Sequence, residues 1–472
     1  MITNTAYLCR ADITIQHNDQ ILYPEQINDL IEYYMEQFYD AFNGDTLGKS
    51  VLLNPNNLDI VYPVVMAAWR LGMSTAQHEF NIVQANHPAW RDFYEYIDCY
   101  VAWDTDYAIG QLELRRPIIF AQHIITKDGL QPIKKATRKI PDVEIQPTTA
   151  AVKTHTSGTT GFPKVLEISH HSVQENARAI IEMYDHNNQD IVLHHKTMHH
   201  GSLFLNFGLP SWMMTSKHHC IQKDSKESGR DAFLTKAVEY CNKNKITKWM
   251  VVYNWIRRLP DLDLEFDHTI DLVTILGPTS DEMYRLLEKT KPRRVYHNFG
   301  NTEVGNLYLS VTDLDNVDTY NPNRFPIQNP SSEIHIDDQT FDCRTIGSDR
   351  WYKIGDKLEI IDGVMWWRGR TDAVIKNDRK IKVLDVQGFI EKHYNSREFY
   401  VVGNYLTNQM FLALFDNLDT SNLNNVLEQE FGIANILDDI KIVPYTEYLH
   451  GQKPSMPLLL YLFKIDEDPE YV

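Results

Sequence analysis

The sequence predicts an α/β protein with a large layered N-terminal domain of β-sheets and helices and a small separate α+β C-terminal domain. Three observations lead there. Short apolar strands alternate with helical periodicities through most of the chain. Beyond Asp372 the order changes to strand, helix, two strands, helix, strand. A length of 472 residues exceeds what one hydrophobic core serves. The expected division is 1–371 and 372–472.

Ile27, Leu30, Ile31, Tyr34 and Phe38 recur at helical spacing and predict a helix over 22–42. A strand follows at 51–53, then a helix over 58–71 that Gly72 stops. A strand at 150–152 enters a polar loop and a second strand occupies 165–168. The next helix is expected from Val173, with Ala177, Ile180, Ile181 and Tyr184 on one face and Ser172 with Glu175 spaced as a capping box. Strands at 272–276 and 294–298 end in Gly277-Pro278 and in Phe299-Gly300, and ligands favour such carboxyl ends in open α/β sheets.

Asp362-Gly363 separates apolar runs at 357–361 and 364–368, which signals a two-residue hairpin. If Ile361 faces Val364, Asp356 faces Gly369 and lies within one residue of Arg370 across the ladder. In the small domain the pattern gives a strand at 381–384, a helix at 386–394, strands at 399–402 and 410–415, a helix at 423–431 and a strand at 440–443.

Composition narrows the function. A hydrophobic share of 43% supports packed cores, and 23% charged residues is the share of an ordinary globular protein. The formal net charge of -18 argues against a nucleic-acid partner, because the only dense basic run, 243–248, is short and offset by acidic stretches. Cys9, Cys99, Cys220, Cys241 and Cys343 form no CxxC pair, which fits free thiols in a reducing, cytoplasmic setting. The polar N-terminus lacks a signal-peptide core, and no apolar run reaches membrane-spanning length, so membrane insertion is not expected.

The loop over 156–164 offers hydroxyls, backbone N–H groups and one ammonium, the groups a polyphosphate needs for several charge-assisted bonds. It is not a Walker P-loop: no GK[ST] ending is present, and a strand follows where that motif demands a helix. The segment Thr156-Ser157-Gly158-Thr159-Thr160-Gly161-Phe162-Pro163-Lys164 resembles the TSGTTGxPK signature of the adenylate-forming superfamily, which holds acyl-CoA synthetases, peptide-synthetase adenylation domains and firefly luciferase. Further resemblances follow in order. Ser169-His170 is similar to the superfamily's following Thr/Ser-His pair, and His199-His200-Gly201 to the HHG found in luciferase-like members. Phe299-Gly300-Asn301-Thr302-Glu303 is similar to YGxTE, and Tyr352-Lys353-Ile354-Gly355-Asp356 to YxTGD. Gly369-Arg370-Thr371-Asp372 with Ile375-Lys376 is similar to GRxDxxIK.

The resemblance implies ATP and Mg²⁺ as cofactors and a small-molecule carboxylic acid as substrate. Thr156, Ser157, Gly158, Thr159, Thr160 and Lys164 would hold the β- and γ-phosphates. Glu303 would hold Mg²⁺, a hard cation that takes one or two carboxylates plus phosphate oxygens. Thr302 would brace the α-phosphate, and His200 would orient the substrate carboxylate. Gly277, Pro278, Asn298, Phe299 and Gly300 would surround adenine, while Asp356 and Arg370 would meet the ribose hydroxyls. Asp372 would be the hinge. Pro444, Thr446, Gly451 and Lys453 resemble the family's C-terminal PxTxxGK pattern with wider spacing, which makes Lys453 the expected catalytic lysine.

The implied acceptor is a pantetheine thiol, on CoA or on a carrier protein. Asn377-Asp378-Arg379-Lys380 is one residue short of the usual loop and lacks its glycine, and Val165 replaces the glycine after Lys164. An amine or hydroxyl acceptor, or a nucleotide-binding protein without turnover, therefore stays open. His194, His195, His199, His200, His218 and His219 also permit a transition-metal site or plain packing. Acid-pocket residues are expected at 202–212 and 277–280, without a choice between aryl, short and longer acyl groups.

Overall fold

The computed structural model describes residues 4–17, 19–53, 58–76, 93–102, 116–121, 124–126, 129–155, 165–195, 204–221, 230–275, 277–336, 341–354, 356–370, 374–376, 379–381, 383–394, 399–404, 409–415, 418–443, 449–450 and 453–454. Two large sheets dominate. The nine-stranded sheet runs in the spatial order Ile327–Gln328, Gly305–Thr312, Arg294–Asn301, Asp271–Thr274, Lys248–Met250, Ile191–His195, Lys217–Ile221, Thr14–His17, Gln20–Leu22. Its six strands from Arg294–Asn301 to Thr14–His17 pair in parallel, and antiparallel strands close both edges. The six-stranded sheet runs Val165–Ser169, Ala150–His155, Ser74–Ala76, Ser50–Leu53, Cys99–Ala102, Ile118–Phe120.

Helices Pro24–Ala41 and Leu58–Arg70 form where the apolar spacing places them, within two residues at most boundaries. Gly72 takes φ +70°, where a side chain is strained, and so ends the second helix. Trp69 fastens that helix to the six-stranded sheet: its ring is fully buried and Nε1 donates to the Ala151 carbonyl at 2.8 Å. The next helix, His170–Met183, starts three residues before the expected position. Its N-cap is Ser169, whose hydroxyl accepts the Ser172 N–H at 3.2 Å, so Ser172 and Glu175 are not a capping box and Glu175 pairs with Arg178 instead.

The parallel strands of the larger sheet begin in a buried cluster of charge. Lys248 Nζ lies 3.2 Å from Asp271 Oδ2 and 3.8 Å from Asp190 Oδ2, and donates to the Tyr184 carbonyl at 2.9 Å. Arg293 Nε donates to Asp271 Oδ1 at 2.8 Å, and Arg294 Nη2 to Oδ2 at 3.2 Å. Burial alone would raise the Asp271 pKa, yet Arg293, Lys248 and Arg294 hold it below the usual range. Lys248, the last member of the short basic run at 243–248, is thus 1% exposed and structural.

The C-terminal elements have their own core. Phe399–Asn404, Gln409–Leu414 and Asp439–Ile442 form a sheet flanked by helices Val383–Tyr394 and Leu423–Phe431, with Val386, Ile390, Val401, Leu412 and Leu427 inside. The strand expected at 381–384 divides differently. Val374–Lys376 and Arg379–Ile381 pair as a short ladder, and Val383 already opens the helix because Val383, Val386 and Ile390 share one helical face. Among the described residues, no helix is long and apolar enough to cross a membrane.

Two stability predictions follow from burial. Lys248→Ala should cost about 3 kcal/mol or more of unfolding free energy, read by urea denaturation, because it leaves acidic groups buried without their nearest cation. His195 and His218, held by burial at about 3, and His219, held by burial at about 4, stay neutral in the fold while the unfolded chain protonates near 6.5. The folded pKa values are lowered, so their contribution is intact above 6.5 and is lost as pH falls towards 4. The urea midpoint should drop over that window, by up to about 1.4 kcal/mol per pH unit for each excluded imidazole; a flat profile would contradict it.

Candidate functional site

The Arg294–Asn301 strand and its hairpin partner Gly305–Thr312 organise the site at the carboxyl end of the parallel sheet. The first strand continues three residues past its expected end and carries a bulge between Phe299 and Gly300. Gly300 is required there, since a Cβ would lie 2.1 Å from the Gly305 carbonyl oxygen. Gly305 takes φ +84°, and a Cβ on it would meet the Asn176 amide at 2.9 Å. The turn between them presents Thr302 and Glu303, both partly exposed. Asn301 braces it: Oδ1 accepts the Val304 N–H at 2.9 Å and Nδ2 donates to Cys343 Sγ at 3.2 Å.

Glu303 makes this corner electronegative. Burial, with the nearby Glu303 charge adding to it, pushes the Cys343 thiol up to about 12 and raises Tyr352 above its ordinary value. The turn thereby faces the Tyr352–Ile354 strand, so two segments far apart in sequence meet.

Strand alternation sorts the residues expected around adenine. His297 and Phe299 face Phe325, with ring centroids at 4.7 and 5.6 Å, and Phe299 remains half-buried. Asn298 points to the opposite face, fully buried, where Nδ2 donates to the Tyr184 hydroxyl. Gly277 and Pro278 sit beside His297: the Tyr320 hydroxyl donates to the Pro278 carbonyl at 2.9 Å, and a Cβ on Gly277 would fall 2.2 Å from that hydroxyl and 2.4 Å from the His297 ring. Packing within the chain is therefore sufficient reason for Gly277.

The Asp356–Ile361 and Val364–Arg370 strands form the expected hairpin, with Ile361 opposite Val364 and positive φ at both Asp362 and Gly363. A bulge between Asp356 and Leu358 changes the far end: Asp356 pairs with Arg370 rather than Gly369. Asp356 Oδ1 accepts the Trp367 Nε1–H at 2.8 Å, which orients the carboxylate. Trp367 was not singled out in the sequence; its cross-strand position, one rung along, is the signal that could have found it.

Several expected residues lie outside the described residues: the loop residues Thr156, Ser157, Gly158, Thr159, Thr160 and Lys164, together with His199, His200, Gly201 and Asp372. The strands that flank the loop are described, and His155 pairs with Val165, so residues 156–164 connect two adjacent antiparallel strands. Lys453 has a described backbone only, in a short ladder opposite His450.

The remaining histidines are packed. His218 Nε2 lies 3.0 Å from the Thr215 carbonyl and so carries the proton, which makes His218 Nδ1 the acceptor of the His194 Nε2–H at 3.0 Å. His195 Nδ1 accepts the Trp249 Nε1–H at 3.0 Å. No group of three or more His, Cys, Asp or Glu among the described residues is placed to hold a metal ion. The expected pocket segment is equally internal: Phe204–Gly208 forms a π-helix and Leu209–Met214 an α-helix, with Phe204, Leu205, Leu209 and Trp212 in the core against Trp69. Buried Asn206 falls within that expected segment, whereas buried Asn306, on the second strand of the hairpin, was not singled out in the sequence.

The profile of a family described as AMP-binding enzyme matches residues 108–344, half of the chain. No curated protein sequence matches. Solved structures do match over nearly the whole chain. ATP-bound MatB from Rhodopseudomonas palustris has a TM-score of 0.72 at 13% identity, covering 100% of both chains. O-succinylbenzoate coenzyme A synthetase (MenE) from Bacillus subtilis, in complex with AMP, has a TM-score of 0.69 at 16% identity, covering 93% of each. Amide bond synthetase McbA from Marinactinospora thermotolerans has a TM-score of 0.66 at 13% identity, covering 97% of this chain and 100% of that one. The profile match, the ordered motifs and this shared architecture have one reading: the chain belongs to the AMP-binding enzyme family, within the adenylate-forming superfamily.

Proposed function

We propose that this chain uses ATP to convert a carboxylic acid into its acyl-adenylate, releasing pyrophosphate, and then passes the acyl group to a thiol of CoA or of a carrier protein. The observation that carries the reading is the hairpin pair Asp356 opposite Arg370, set with the Glu303 turn in a chain of the AMP-binding family. The residue types at these two paired backbone positions, one an acceptor and one a donor, suit the two hydroxyls of a ribose.

In the proposed step a carboxylate oxygen of the acid attacks the α-phosphorus in line. The bond from that phosphorus to the bridging oxygen breaks, and pyrophosphate leaves with the electron pair. Thr156, Ser157, Gly158, Thr159, Thr160 and Lys164 hold the β- and γ-phosphates, Thr302 braces the α-phosphate and His200 orients the acid. Phe299, with Gly277, Pro278 and Gly300, receives adenine. Lys453 neutralises charge that develops on the α-phosphoryl oxygens. Mg²⁺ would be held by Glu303, whose partly exposed carboxylate already raises its neighbours Cys343 and Tyr352, and would supply charge neutralisation on the phosphates. A swing of 372–472 about Asp372 would then bring a second face to the adenylate.

One observation favours an amine acceptor as a second reading. Lys376 pairs with Arg379, so only Asn377 and Asp378 connect the two strands, and this glycine-free turn is shorter than the loop expected beside a thiol route. McbA, to which the chain is similar, is itself an amide bond synthetase.

ATP–pyrophosphate exchange across a panel of carboxylic acids tests the first step. Exchange should require Mg²⁺ and fall about 10²–10³-fold in Glu303→Ala and in Lys453→Ala, the usual loss when one positioned charge at a developing oxyanion is removed. Intact exchange in Lys453→Ala would move the role to another lysine, and intact exchange in Glu303→Ala would remove the magnesium assignment. Offering CoA, carrier protein or simple amines to the preformed adenylate should consume it with the thiol; consumption by amines alone would replace the thiol with the second reading.

A further inference from the structure

Three buried asparagines at the carboxyl end of the sheet carry amide atoms without a protein partner. Asn298 and Asn306 are 0% exposed and Asn206 is 2% exposed. Asn298 Oδ1, Asn206 Oδ1 and both Asn306 amide atoms make no hydrogen bond. Leaving a buried amide unpaired costs about 1–3 kcal/mol, so two on one strand pair and a third on the π-helix packed against it call for an occupant.

Register shows that they share a face. Asn298 lies across from Leu309 and Gly300 across from Asn306, so Asn298 and Asn306 project to the same side, about 7 Å apart along the ladder. That side is the one packed by helix His170–Met183 and the π-helix: Tyr184 binds Asn298, and Phe207 joins Leu309 in one apolar cluster. Asn176 ties the layer together, donating to the Leu205 carbonyl at 3.2 Å beside Gly305. Asn329 Nδ2 takes the Asn306 backbone carbonyl at 2.6 Å and leaves its side chain untouched. Phe299 and His297 occupy the other face, so this layer is separate from the adenine side.

The chemistry of the unpaired atoms selects the ligand. Three are carbonyl oxygens, which only accept, and one is an N–H₂ group. The recorded side-chain partner, the Tyr184 hydroxyl, is neutral, and the charged groups Lys248, Asp190 and Asp271 gather at the opposite end of the strands. Hydroxyl groups meet this demand, since each donates once and can accept from Asn306 Nδ2. An ammonium or a second carboxylate finds no counter-charge among these residues.

Given the adenylation reading above, we infer that the acid activated here is a hydroxylated carboxylic acid, uncharged apart from its reacting carboxylate, held through its hydroxyls by Asn206, Asn298 and Asn306. The apolar surroundings of Phe207 and Leu309 exclude water, which makes each of these bonds discriminating.

The test is ATP–pyrophosphate exchange with matched pairs of acids, 3-hydroxybutyrate against butyrate and gluconate against hexanoate, using the full chain and the variants Asn298→Leu and Asn306→Leu. The hydroxylated member should be preferred at least about tenfold in kcat/KM, the discrimination expected of a site built to bond a hydroxyl. Each variant should lose that preference through a higher KM for the acid, with KM for ATP unchanged and thermal stability equal or higher, because leucine replaces an amide that bonds little in the protein. Preference for the deoxy acids, a preference unaltered in both variants, or a rise in KM for ATP in Asn298→Leu would overturn the inference while leaving adenylation standing. Exchange with no acid at all would bring down the adenylation reading and this one with it.

Discussion

The tightest glycine in the described site is Gly300, where a Cβ would lie 2.1 Å from the Gly305 carbonyl oxygen. That pinch lets the two strands stay paired through a bulge up to the turn that holds Thr302 and Glu303. Strand alternation on either side of it then does the sorting: His297 and Phe299 go to one face, Asn298 and, across from Gly300, Asn306 to the other. A one-residue slip would exchange the faces and merge what the hairpin keeps apart.

The larger sheet is also divided along its strands. At the amino ends, buried Lys248, Asp271 and Asp190 form an ionic cluster that the partly exposed Arg293 and Arg294 close from outside, a costly arrangement in which removing one buried partner strands another. At the carboxyl ends the buried asparagines Asn298 and Asn306 carry unpaired amide atoms. Unspent hydrogen-bonding capacity there suits a sheet whose ligands enter beyond the carboxyl ends of parallel strands.

Identity of 13–16% to structures that share the fold over almost the whole chain shows how little side-chain identity the architecture demands. What it does demand is local. Trp69 must reach the Ala151 carbonyl, Gly277 must clear His297 and Tyr320, and the Asp356 bulge must shift the ladder by one residue. Each is a constraint of volume or register rather than of residue class.

The sequence by itself determined the α/β class, most helices and strands, the Asp362-Gly363 hairpin and the family, because periodicity, turn residues and contiguous motifs are local signals. It misplaced the start of the His170–Met183 helix by three residues, since two serines compete for the N-cap and only the fold chooses Ser169. It did not single out Lys248 as buried, because that burial depends on Asp190 and Asp271, which are distant in sequence. Tertiary structure alone decided that Asp356 meets Arg370, that Trp367 orients it, and that Asn206, Asn298 and Asn306 face one layer with their amides unpaired. Those facts are set by a bulge, a register and the packing of a π-helix against a hairpin, and such geometry is a property of the assembled chain that no single stretch of sequence encodes.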